Sequence, residues 1–539
     1  MSRREEILRQ IAACPQWDAI VIGGGATGLG AAVEAASRGY KTLLLEAHDF
    51  AQATSSRSTK LVHGGVRYLQ QGNLKLVLEA LRERGRILRN APHLAHRRAF
   101  IVPAYALWEL PFYGLGLTLY DLLAGREGLG RSRLLSGRRV LEALPNLQPR
   151  DLKGGILYFD GQFDDARFAI ALLRTLFDLG GLALNYAPVT RLIKANGLVG
   201  GVRAEDAETG QPLELPAKLV INATGIFSDA VRAMDDPAAP PVVTASQGTH
   251  FVLPRSFLTA NPAPPGSVAL MIPRTADGRV LFAIPWHDRL LVGTTDDPVP
   301  QPEIEPRSLA QERTFLKAHI ERFLSRPLQP SDVLSVWSGQ RPLVRSGPAT
   351  STAAISRDHT VLISPSRLVT IVGGKWTTYR KMAEDTIDRA APLAGLPRVP
   401  SRTADLPLHG APPARSKPVT KALLDPDDWQ QVYGSDLPSL RALAAAHDDD
   451  DAELAELLHP ALPFRRAEVV WAVRHEMARQ LEDVLARRTR ALFLDARASV
   501  EAAPAAARLM ARELGKNEQW EREQLIAYSK LAEQYTWSE

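Results

Sequence analysis

Residues Trp17 to Glu46, WDAIVIGGGATGLGAAVEAASRGYKTLLLE, lay out an apolar strand, a glycine turn, a helix and a second apolar strand ending on an acid. That order predicts a βαβ unit around a dinucleotide, because each glycine of Gly23-x-Gly25-x-x-Gly28 has its own mechanical task. Gly23 permits the tight turn off the strand Ala19 to Ile22. Gly25 lets the backbone approach a pyrophosphate, and Gly28 lets the helix beginning near Ala26 pack closely on the strand. The helix start then offers free N–H groups to the anion. Glu46 follows the run Thr42 to Leu45, where a carboxylate accepts hydrogen bonds from the adenosine ribose and disfavours a 2′-phosphate, which argues against NADP. The motif alone leaves FAD and NAD both open.

A chain of 539 residues, 45% of them hydrophobic, can bury large cores and points to two or three domains. Its one cysteine, Cys14, excludes internal disulfides and cysteine metal clusters and suits a reducing cytoplasm. A net charge of +5 and a pI near 9.2 allow an anionic substrate or surface without arguing for nucleic acid. The start MSRREEILRQIAA predicts a short amphipathic helix rather than a signal peptide. The nearest approach to a bilayer span, Ala104 to Ala124, is broken by Glu109, Pro111 and Asp121. It carries Trp108, Phe112, Tyr113 and Tyr120 and precedes Arg126, Arg131, Arg133, Arg138 and Arg139. A helix lying among anionic headgroups and a buried helix with a solvated basic loop both fit.

Further along, periodicity predicts a helix over Leu74 to Leu88 and a strand, turn and helix over Gly154 to Gly181. Strands follow at Leu182 to Asn185, Val189 to Lys194, Leu198 to Ala204 and Lys218 to Asn222. The last leads into Ala223-Thr224-Gly225, whose small residues admit a cofactor. Between Pro240 and Gly339 the short β-branched runs HFVLP, VALMIP, RVLFAIPW and RLLVGTT predict an antiparallel sheet. Arg367 to Val372 predicts a strand, Gly373-Gly374 a turn and Lys375 to Ala391 a helix; a proline-rich linker and a helical tail from Leu423 follow.

The fold class is therefore α/β: a Rossmann-like FAD-binding domain split in sequence, an antiparallel-β substrate domain and a C-terminal all-helical domain. The expected boundaries are an N-terminal extension over 1–16, the FAD-binding domain over 17–100, 150–235 and 355–395, and the substrate domain over 101–149 and 236–354. A linker over 396–422 and the helical domain over 423–539 complete the chain. Split construction of this kind is the habit of FAD oxidoreductases, by fold analogy.

Several separated blocks carry a more specific likeness: Ala53 to Gln70 (ATSSRSTKLVHGGVRYLQ), Gln247 to Pro254 (QGTHFVLP), Gly293 to Asp297 (GTTDD), Ser338 to Leu343 (SGQRPL) and Gly373 to Lys381 (GGKWTTYRK). With Val473 to Arg490 in the tail, the chain resembles the aerobic, membrane-associated FAD-dependent glycerol-3-phosphate dehydrogenases. The resemblance implies oxidation of sn-glycerol 3-phosphate to dihydroxyacetone phosphate by hydride transfer to FAD, with electrons passed to a membrane quinone. It also implies a cytoplasmic protein held peripherally on an anionic inner membrane face, with no nucleic-acid partner and a homodimer left open. An oxidase using oxygen and an amine or amino-acid oxidase on the same scaffold stand as alternatives. A non-catalytic flavoprotein or basic nucleic-acid-binding module stands as the reading from another class.

Thr54, Ser55, Ser56 and Ser58 are candidates to hydrogen-bond FAD, as small hydroxylated residues after the second strand. His63 and Gly64, in KLVHGG, join them as cofactor candidates, with covalent attachment through His63 left open. Gly225, Gly374, Lys375 and Thr377 complete the cofactor set; a helix starting at Lys375 would stabilise negative charge on a reduced ring. The resemblance gathers Arg67, Tyr68, His250, Arg341 and Lys375 into one substrate pocket, where a phosphate dianion needs such cations. His250 is the expected base for the C2 hydroxyl, with Arg341 the alternative or the holder of a developing alkoxide.

Overall fold

Runs such as Ala19 to Ile22 and Leu43 to Leu45 are apolar on both faces, which suits strands covered from two sides. In the computed structural model, which describes residues 3–65, 73–259, 267–275, 278–345, 358–412, 429–445 and 452–537, they are neighbours at the centre of one sheet. Trp17–Ile22 pairs in parallel with Thr42–Leu45 on one side and Gln211–Asn222 on the other. Leu182–Leu184 extends the first edge, while Val369–Gly373 and then His359–Ile363 extend the second. Three stretches far apart in sequence thus share one sheet. Helix Ala26–Ser37 packs against both Asp165–Asp178 and Tyr379–Ala390, and Ile20, Leu29, Leu44, Leu172, Ile221 and Val369 form part of the common core.

Gln211–Asn222 is longer than its apolar end predicts. Its first half, Gln211–Pro216, pairs antiparallel with Leu198–Asp206 before the chain enters the parallel sheet. Two prolines and an exposed alternation hid that half, as edge-type pairing does.

The second sheet builds on Val243–Pro254, flanked by Arg289–Gly293 and Ser335–Val344. It continues through Leu281–Trp286, Ala269–Ile272, Ala95–Ala104 and Gly154–Phe163 to Leu61–Val62. It departs from an all-antiparallel sheet where Ala269–Ile272 runs parallel to Ala95–Ala104. A boundary drawn at 100 or 150 cuts this sheet, because Ala95–Ala104 pairs along its whole length with Gly154–Phe163. The apolar runs of these strands do not say which sheet receives them.

The helices Arg466–His475, Ala496–Leu514 and Glu518–Ala532 share a core with Trp286, Leu291 and Trp337 of the second sheet. Buried ion pairs dock this helical part: Arg487 and Arg488 on Asp49, Arg490 on Asp164, and Arg167 on Glu476. At the other end of the chain, helix Arg3–Ala13 buries Ile7 and Ile11 and pairs Arg4 with Asp206.

Helix Glu109–Ala124 buries Leu117, Tyr120 and Ala124 and leaves a broad apolar face in solvent. Leu107, Trp108, Leu115 and Leu122 are 72%, 62%, 76% and 72% exposed, and Phe112 and Leu119 accompany them. Among the described residues no helix is long and apolar enough to cross a membrane.

Candidate active site

The glycine turn forms the floor of a groove of about 290 Å³ lined by Gly23, Gly25, Glu46, Thr54, Ser55, Gly225, Gly374 and Lys375. Gly23 sits at φ +108°, where a Cβ would lie 2.8 Å from Ala223 O, and a Cβ on Gly28 would overlap Gly23 O. Glu46 reaches into the groove with its carboxylate held by the N–H groups of Gly24 (2.5 Å) and His48 (2.8 Å), while burial pushes its pKa up. Ser55 Oγ accepts from Ala26 N–H at 2.8 Å, tying the serine block to the helix start. Bare backbone beside an anchored carboxylate fits the adenosine and pyrophosphate half of a dinucleotide.

A second cavity of about 300 Å³ shares Thr54, Pro342, Gly373, Gly374, Lys375 and Trp376 with the first. Into it come Ser58, His63, Gly65, His250, Thr294, Arg341 and Thr377. His250, on Val243–Pro254, stacks on Trp337 with ring centres 4.2 Å apart. Its Nε2 meets Thr59 Oγ1 at 3.0 Å, and its Nδ1 has no partner among the described residues. Burial, then Arg341 and Lys60, hold its pKa well below the usual imidazole value, which favours the neutral ring. The Arg341 guanidinium is held by Asp296 Oδ1 and Thr294 Oγ1, each at 3.2 Å, over Gly248, whose missing side chain leaves it room.

Lys375 lines both cavities, but the helix expected to begin there starts at Tyr379, after a 3₁₀ turn over Trp376–Thr378. Trp376 Nε1 donates to Ser55 O at 2.9 Å, joining this turn to the serine block. Thr377 Oγ1 accepts from His63 N–H at 3.3 Å.

Not every expected residue comes to the cavities. Ser56 is buried off both, and Gly64 lines neither, its N–H donating to Tyr120 Oη and a Cβ there having to meet Leu81. Ser58 is at the wall, but its hydroxyl is committed to Asp165 Oδ2 at 2.7 Å. Arg67 and Tyr68 lie outside the described residues. Conversely, Arg57, Thr59, Asp160 and Asp296 line the second cavity without having been singled out. Arg57, Thr59 and Asp296 stand inside the quoted blocks ATSSRSTKLVHGG and GTTDD, which were the available signal.

Comparison with known proteins follows the same lines. Residues 18–380 match the FAD dependent oxidoreductase family, and residues 401–523 match the C-terminal domain of alpha-glycerophosphate oxidase. The chain is 40% identical over 567 residues to a mitochondrial glycerol-3-phosphate dehydrogenase of Macaca fascicularis, covering 98% of this chain and 75% of that protein. It is 40% identical over 559 residues to the human protein of that name, covering 97% and 74%. A glycerol-3-phosphate dehydrogenase from Bacillus halodurans, solved with FAD, superimposes with a TM-score of 0.79 at 28% identity over 99% of this chain and 98% of that one.

Proposed function

We infer the reaction from one premise: the chain belongs to the FAD-dependent glycerol-3-phosphate dehydrogenases. It is an FAD enzyme, and the amino-acid oxidase and non-catalytic readings fall with that membership. The substrate is sn-glycerol 3-phosphate, the product dihydroxyacetone phosphate and the final oxidant a membrane quinone. The observation that carries this reading is that His250, Arg341 and Lys375, from three segments, line one cavity that shares part of its wall with the nucleotide groove.

Gly23, Gly25, Glu46, Thr54, Ser55, Gly225, Gly374, Lys375 and Thr377 would hold FAD. Bound there, FAD supplies the acceptor for the hydride leaving substrate C2. His250, whose ring lines the cavity, takes the proton of the C2 hydroxyl. Arg341 and Lys375 neutralise the phosphate, Arg341 as a planar fork and Lys375 as a point charge. Arg67 and Tyr68 are proposed for the same pocket.

Support for a lipid-borne oxidant comes from the opposite wall. Leu61, Phe100, Tyr158, Met271 and Phe282 line the cavity, and the same apolar cluster takes in Leu117, Leu110 and Tyr113 of helix Glu109–Ala124. That helix shows its apolar face to solvent, and Arg126, Arg131, Arg133, Arg138 and Arg139 after it are all exposed. An apolar face followed by five cations suits the cytoplasmic, anionic surface of a membrane.

Adding glycerol 3-phosphate anaerobically to the yellow protein is expected to bleach the flavin, and a quinone analogue to restore the colour faster than oxygen. Arg341→Ala is expected to keep its FAD and lose at least about tenfold in kcat/KM, the scale of one charge-assisted contact. Absence of bleaching sinks the assignment; faster recovery with oxygen makes the protein an oxidase.

A further inference from the structure

Beneath the candidate base lies a buried cation that the reaction above does not use. Lys60 is fully buried, and its Nζ lies 5.1 Å from the ring centre of Trp286, 4.9 Å from that of Trp337 and 5.5 Å from that of Phe493. Phe493 comes from the helical part of the chain, Trp286 and Trp337 from the second sheet. The Nζ donates to both carboxylate oxygens of Asp165 (2.8 and 2.9 Å) and to Ser56 O (2.6 Å). Three acceptors match the three donors of an ammonium, where a neutral amine has two. Asp165 also accepts from Ser58 N–H, Ser58 Oγ and Ala166 N–H, so both of its oxygens are engaged by donors, as suits an ionised carboxylate. Burial pushes both groups toward neutrality, but every donor and acceptor of the charged pair is used and aromatic faces favour the cation. Lys60 is also held at φ +60°, a left-handed conformation costing on the order of 1 kcal/mol in a non-glycine residue. The backbone carries that strain where it turns the side chain inward beneath the rings.

The Trp337 ring is shared. It forms part of the Lys60 cage and is the surface on which His250 stacks at an interplanar angle of 22°. Thr59, next in sequence to Lys60, holds His250 Nε2. We propose that Lys60 is a positioning residue for His250: with Thr59 and Trp337 it fixes the plane of the imidazole. The inference rests on the reading of His250 as base. The other charged groups around the ring are Arg341 with its partner Asp296 on the cavity side, and Asp165, Asp164 and Arg490 around Lys60. Arg341 and Lys60 both oppose protonation of His250, after burial itself.

The test substitutes Lys60→Met together with Asp165→Asn, since Lys60→Met alone would leave a buried unpaired carboxylate and unfold the site. The FAD-loaded double variant and wild type are compared by NMR titration of the His250 ring, assigned by its loss in His250→Asn, and by the pH profile of kcat/KM. The titration midpoint is expected to rise, and the acid limb of kcat/KM to move up with it. A folded, FAD-loaded double variant whose His250 titrates as in wild type overturns the role of Lys60. A midpoint that rises while the acid limb stays in place upholds Lys60's hold on the ring and overturns His250 as the base.

Discussion

At the residue scale, hydrogen takes the place of a side chain where nothing else fits. A Cβ on Gly28 would enter Gly23 O, backbone that cannot swing aside. Gly28→Val is therefore expected to give a protein that elutes without flavin absorbance and with Tm lowered by several degrees, overpacking costing about 1–3 kcal/mol. Such a position is legible in sequence because its demand is local: three glycines at fixed spacing after an apolar run. The His250 environment was not legible in the same way. His250 stands in a quotable block, but the Trp337 it stacks on, the Lys60 beneath and the Phe493 that completes the cage come from other segments. Ser56 and Ser58 show the reverse case. Hydroxylated residues after the second strand suggest a ligand, yet Ser58 spends its hydroxyl on Asp165 and Ser56 packs out of reach.

Among the elements, helix Glu109–Ala124 departs furthest from the ordinary habit of burying the apolar stripe. Its composition left two readings open because hydropathy does not say which face meets the protein. Leu115→Glu with Leu122→Glu removes two side chains that touch solvent, so folding and turnover with a soluble acceptor are expected to be unchanged. Flotation with anionic vesicles is expected to fall at least tenfold, each leucine being worth about 1.5–3 kcal/mol when it leaves water. Equal flotation of the variant and wild type would remove the helix as a docking element. The strands tell a related story: the stretch from Gly154 was expected to open with a strand, but the partner of that strand, Ala95–Ala104, and so its sheet, depends on pairing across 50 to 68 residues of chain.

Over the whole molecule, the helical part is docked by charges, and one dock titrates in an accessible range. His409 bridges Asp178 (2.7 Å) and Asp436 (3.0 Å), linking helix Asp165–Asp178 to the helical part. Burial opposes its charge, but the two carboxylates outweigh it and raise the pKa to about 9. With the folded value above the unfolded one, its stabilisation is complete below about pH 6.5 and is lost as pH rises through about 9. Tm is therefore expected to fall between pH 6.5 and 9.5 more in wild type than in His409→Asn; parallel curves would show the bridge contributes nothing.

The discontinuity of the first sheet also sets an order in time. The glycine turn leaves the ribosome before Gly373, Gly374 and Lys375, which wall the same groove and follow roughly 350 residues later, or about 20–70 s at ordinary rates of synthesis. Until then Gln211–Asn222 lacks its neighbour Val369–Gly373 and the groove has one side. A nascent chain can thus carry the nucleotide signature long before it can hold the nucleotide, and the cofactor has to wait for the segment around Lys375 to be made.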